Sequence, residues 1–99
     1  MKKYLLIPVL MLSFNAFAEV TKDDVNAMRQ EVKGMNKEEV TAKHIELFEA
    51  VKAEPNEKNC HSFEVFDLGA RKEKKITIID PQVNKRVLDA KRSCLGYNW

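Results

Sequence analysis

Four side chains in this 99-residue chain belong to the types that do chemistry by themselves: Cys60, Cys94, His44 and His61. A thiol attacks as a thiolate, holds a metal, or oxidises to a disulfide. No C-x-x-C spacing is present, and neither cysteine sits in a context that would lower its pKa, so oxidation is the expected fate. With two cysteines only one intramolecular pairing exists, and a Cys60–Cys94 disulfide is predicted. The closed loop of about 35 residues limits the unfolded chain by roughly 3–4 kcal/mol. That is large against the ~5 kcal/mol total of a small domain.

The histidines gain little from this arrangement. A Cys60 held in a disulfide is no metal ligand, so His61 next to it makes no site. His44 lies beside the apolar stripe of a predicted helix, where a histidine is expected to be packed and hydrogen-bonded rather than catalytic. Two histidines would need carboxylates to complete a zinc centre, and no H-E-x-x-H spacing supplies them. No paired acids, Ser-His arrangement or Gly-rich phosphate loop stands out. With three glycines, two of them read as helix ends, there is little to build such a loop. The expectation is a protein with no catalytic residues, no metal and no cofactor, and therefore not an enzyme.

What remains is suited to binding. Tyr97 and Trp99 close the chain, and these residue types are enriched at interface hot spots. The tail is expected either to pack on the domain or to present an anchor to a partner. A terminal Tyr-x-Trp resembles the closing-strand signal of outer-membrane barrels, but a short chain of charged helices cannot close one. Arg71, Lys72, Lys74 and Lys75 form a basic cluster. It reads either as a solvated face or as a patch for an acidic partner or membrane surface.

The elements that position these residues carry clear start signals. Thr21 with Asp24 is a short-armed capping box, and Val25, Met28, Val32 and Met35 recur at helical spacing until Gly34 interrupts. Asn36 with Glu39 repeats the device ahead of Val40, Ile45, Leu47, Phe48 and Val51, and Pro55 stops that helix. The short connection predicts an αα-hairpin. After a polar loop at 56–59, Ser62 to Leu68 is rich in Phe and Val, and Ile76 to Ile79 is β-branched. Two such runs around a charged turn predict a β-hairpin. Asp80-Pro81 opens a last helix whose face is Val83, Val87, Ala90 and Cys94, with Gly96 at its end.

The expected fold class is a helix-rich α+β single domain: an αα-hairpin, a β-hairpin (or a short helix plus a strand), and a C-terminal helix, stapled once. One tension stands in this reading. A last helix folded back along the second strand carries Cys94 about 20 Å from its start, whereas the hairpin leaves Cys60 near that start. The disulfide is the firmer of the two expectations.

The first eighteen residues have the three parts of a cleavable secretory signal. Lys2 and Lys3 precede an apolar run, Leu5 to Leu12, and Ala16-Phe17-Ala18 supplies the small residues of a cleavage site. The run is short of the ~20 residues that span a bilayer. Residues 1–18 are therefore read as a signal peptide, 19–99 as one mature domain, and the destination as the periplasm of a bacterial envelope. Removing the two signal lysines leaves fifteen bases and fifteen acids. A neutral mature chain excludes nucleic acid as the default partner. The charge is divided, with a net of −4 over 19–57 and +4 over 58–99.

These features predict a small exported binding or inhibitor protein, in the manner of immunity proteins or lysis inhibitors, acting on another periplasmic or envelope protein. The alternative is an envelope stress or chaperone-like factor, and a small metal carrier or enzyme comes third. No stable membrane span is expected after cleavage.

Overall fold

A computed structural model of the chain describes residues 20–96. The expected signal peptide and the tail Tyr97–Trp99 lie outside the described residues. The two capping boxes act as read. Thr21 accepts a hydrogen bond from the Asp24 amide while the Asp24 carboxylate accepts from the Thr21 amide, and α1 (Lys22–Lys33) begins there. Asn36 and Glu39 make the same reciprocal pair at the start of α2 (Lys37–Ala53), which ends one residue before the Glu54-Pro55 bond. The residue before a proline is pushed out of helical backbone, so the stop is local in origin.

The region between residues 57 and 80 corrects the expected fold. Ser62 to Leu68 is no strand: it is the middle of α3 (Glu57–Lys72), capped by the Asn56 side chain on the Asn59 amide. Ile76 to Ile79 is no strand either, but part of the connection to α4 (Pro81–Ser93). Among the described residues there are four helices and no strand, so the β-hairpin and the α+β class give way to an all-helical arrangement. The physical reason is visible in the burial. Cys60, Phe63, Phe66, Asp67 and Ala70 are all buried and recur every three to four residues, the period of a helix rather than of a strand. With that run helical, Ile76 to Ile79 has no partner with which to pair its backbone. Ile76 turns into the core while Ile79 points to water.

Helix α3 ends in a Schellman motif. The Lys75 amide donates to the Ala70 carbonyl and the Lys74 amide to the Arg71 carbonyl. Lys74 occupies the left-handed position (φ 61°) where glycine is usual.

Helices α1 and α2 both rest on α3, and α4 lies along α2. Buried side chains from all four helices, with Ile76, form one core around Phe63 and Phe66. Gly69 allows α1 its close approach: a Cβ there would stand 2.8 Å from Met28 Cγ. Cys60, in the first turn of α3, is joined to Cys94, just past the end of α4, with Cα atoms 6.1 Å apart. The tension between staple and hairpin is thereby resolved, because α3 and α4 run antiparallel and their outer ends meet. The predicted face of α4, Val83, Val87, Ala90 and Cys94, is fully buried. No helix among the described residues is long and apolar enough to cross a membrane.

Candidate functional site

Two features stand out against this frame: a buried polar relay and an open apolar groove. The relay starts from His44, which the sequence places beside the α2 stripe. In fact Val40, His44, Phe48 and Val51 are the stripe, at helical spacing, and Ile45 points outward. His44 has no exposed surface, and Asp67 of α3 is 1 % exposed. His44 Nε2 lies 2.9 Å from Asp67 Oδ1. The other carboxylate oxygen, Asp67 Oδ2, accepts from Arg71 Nη2 at 2.6 Å and Arg71 Nε at 3.0 Å. On the opposite side of the ring, Arg86 of α4 donates from Nε to His44 Nδ1 at 2.9 Å.

These contacts fix the tautomer. A guanidinium only donates, so Nδ1 is an acceptor and the ring proton sits on Nε2, facing the carboxylate. The rings of Phe63 and Phe66 pack beside the imidazole. A histidine oriented by an aspartate is half of a catalytic arrangement. Here the ring is sealed and both nitrogens are engaged, so no substrate proton can reach it in this arrangement. What the relay does is join three helices, α2, α3 and α4, through four side chains with matched donors and acceptors.

The groove runs between α1 and α2 with α3 as its floor. Met28 and Met35 come from α1 and the turn after it, Leu47 from α2, and Val65 and Phe66 from below. It encloses about 430 Å³ and is open to solvent along its length. Asp24 and Glu31 stand on the α1 side and Lys43 on the α2 side. His61, at the end near the staple, places Nε2 3.6 Å from Asp24 Oδ2. Among the described residues no three of His, Cys, Asp or Glu come together as a metal-binding group.

The basic cluster read from the sequence is divided by the structure. Arg71 is tied into the relay. Lys75 donates to the Met35 carbonyl and so fastens the α1–α2 turn to the end of α3. Lys72 and Lys74 are exposed, but on different sides of the helix end, lining different clefts. Tyr97 and Trp99 fall outside the described residues. Nearby, Arg29 reaches Glu73 at 2.7 Å and holds its carboxyl below the usual range. Burial pushes the Glu64 carboxyl up, and Asp67 adds to that while Lys91 opposes it. Compared with known protein families, characterised proteins and solved structures, the chain matches none.

Sequence reasoning missed Asp67, Arg86 and the groove. Asp67 was hidden by the strand reading of Ser62 to Leu68, although the spacing Cys60, Phe63, Asp67, Ala70 carries a helical signal. Arg86 had none. It follows Val83 by three residues and looks like any charged flank of an apolar stripe.

Proposed function

We propose that this protein is a small exported, non-enzymatic binding protein. In this reading it is made with a cleaved signal peptide, acts in the periplasm, and blocks or shields another envelope protein. The observation that carries the reading is the methionine-lined groove on a frame fixed by a staple and a buried relay. Methionine adapts its unbranched, polarisable side chain to varied apolar shapes and is over-used at protein-binding surfaces. The occupant that suits the groove is an amphipathic helix of the partner, its apolar stripe against Met28, Met35 and Leu47. A basic residue on one flank would meet Asp24 and Glu31, and an acidic one on the other would meet Lys43. A frame that does not have to order itself on binding saves conformational entropy, so a shallow groove holds its partner more firmly.

The test uses a property of the sequence. The four methionines are Met1, Met11, Met28 and Met35, so a processed chain retains only the two that line the groove. Protein labelled with 13C at the methionine methyls should give two signals, and four would refute the cleavage. A partner captured from periplasmic extract should move both. Leu47→Lys should abolish that capture while leaving the helical circular dichroism intact. A partner that binds without moving either methyl, or binds Leu47→Lys equally well, would overturn the groove as the binding surface.

A further inference from the structure

The connection between α3 and α4 presents two adjacent isoleucines at the surface. Ile78 is 45 % exposed and Ile79 is 86 % exposed. They sit on a turn in which the amides of Ile79 and Asp80 are bonded within the turn itself. The Ile79 amide donates to Thr77 Oγ1 and the Asp80 amide to the Thr77 carbonyl, both at 3.2 Å. Pro81 has no amide hydrogen, and the Gln82 amide donates to Asp80 Oδ1. The two amides next to the most exposed side chain are thus satisfied without water, which lowers the cost of moving Ile79 out of it.

Cations surround the tip. A cleft of about 480 Å³ on one side is lined by Lys37, Lys75 and Arg86 with Thr41, Thr77 and Asp80 among others. A second, of about 410 Å³, has Arg71 and Lys74 beside Lys37 and Lys75. With Arg71 neutralised by Asp67, four bases, Lys37, Lys74, Lys75 and Arg86, face one acid, Asp80, while Glu73 close by is taken up by Arg29. Lys74 also holds its place against local preference. The left-handed position it occupies costs a side-chain-bearing residue what it does not cost glycine. A strained residue at a functional surface is a reason to ask what its side chain does there.

We propose that this tip is a docking site for an anionic phospholipid surface, with Ile78 and Ile79 entering the headgroup boundary and the exposed Lys37 and Lys74 meeting lipid phosphates, while Lys75 stays on the Met35 carbonyl. Apolar side chains ringed by long cationic ones are the arrangement that interfacial binding requires. The site is separate from the groove, so the proposal stands independently of any protein partner.

The experiment is flotation of the oxidised protein, expressed from its full-length sequence and purified, with vesicles of phosphatidylglycerol or of phosphatidylcholine. Binding is expected to the anionic vesicles only, and to be lost at high salt, where charges are screened within a few ångströms. Ile78→Ser with Ile79→Ser should abolish it. Lys74→Gly should weaken it about fivefold, the equivalent of ~1 kcal/mol for one base near an anionic leaflet. The same change relieves the left-handed strain, so the unfolding midpoint should rise. A loss of binding together with a gain of stability separates a surface role from a folding defect. Equal binding to both vesicle types, binding that survives the isoleucine changes, or binding to soluble polyglutamate at the affinity seen for vesicles would each overturn the proposal.

Discussion

Replacing Asp67 with alanine removes an acceptor shared by three donors, His44 Nε2 and two nitrogens of Arg71. The consequences are unequal. Arg71 keeps 29 % of its side chain exposed, so its guanidinium rotates into water and the lost pair costs about 1 kcal/mol. His44 has no such exit. Its Nε2–H is left buried without an acceptor, at about 1–3 kcal/mol. The vacated space adds about 1 kcal/mol. The total is about 3–5 kcal/mol, the range for breaking a buried pair by removing one member. A domain of this size has roughly 4–12 kcal/mol in all. Urea unfolding of the oxidised protein at pH 7, followed by circular dichroism, should show the midpoint falling by about 3–5 M, at a slope of ~1 kcal/mol per M. The double change His44→Leu with Asp67→Leu removes both polar groups together. It should retain at least ~2 kcal/mol more than the sum of the two single leucine changes allows. A midpoint shift below about 1 M for Asp67→Ala, or strict additivity in the cycle, would refute the relay as a unit.

Replacing Cys60 and Cys94 by serine should lower stability by about 3–4 kcal/mol through the freed denatured chain, measured as a midpoint shift under non-reducing conditions. Gly69→Ala places a Cβ 2.8 Å from Met28 Cγ and 3.1 Å from Met28 Cβ. Forcing α1 outward should cost about 1–3 kcal/mol, more than the helix propensity alanine gains, and should displace the Met28 methyl resonance. Burial raises the Glu64 carboxyl, so the folded state holds that proton more tightly than the unfolded chain does. The group therefore favours folding below the ordinary value of 4.5 and loses that effect as pH rises through its higher native value. Glu64→Gln should raise the melting temperature at pH 7, and the gain should vanish below pH 4.5.

The helix starts were legible because capping is local: Thr21 with Asp24, Asn36 with Glu39 and Asp80 before Pro81 each fix a boundary within four residues. The face of α4 was legible because every member of Val83, Val87, Ala90 and Cys94 is apolar. The middle of the chain misled for the converse reason. Ser62 to Leu68 contains two Phe and a Val, which favour strands when taken alone, yet its buried positions also include Asp67. A carboxylate on the buried face is tolerated only because His44 and Arg71 are there to receive it. Those partners lie 23 residues upstream and one helical turn ahead. The relay could not be read from any one segment, since three helices must be docked before its members meet. The groove was likewise invisible, because it consists of space that α1 and α2 leave above α3. The candidate interface residues fared unevenly for a similar reason: Lys74 keeps the freedom a charge run implies, whereas Arg71 is spent inside.

The join between Cys60 and Cys94 turns the last two helices into a closed ring, and this changes how the molecule answers to force. Pulled by its two ends, the oxidised chain can release α1 and α2 and then stops. The 34-residue interval between the cysteines stays out of the line of tension and withholds about 115 Å of contour length. The same ring decides passage through narrow openings. A pore that admits a single extended strand will thread the reduced polypeptide, but it must take two strands abreast once the sulfurs have joined. Oxidation therefore sets the width the chain presents to such an opening, one strand when reduced and two when the ring is closed.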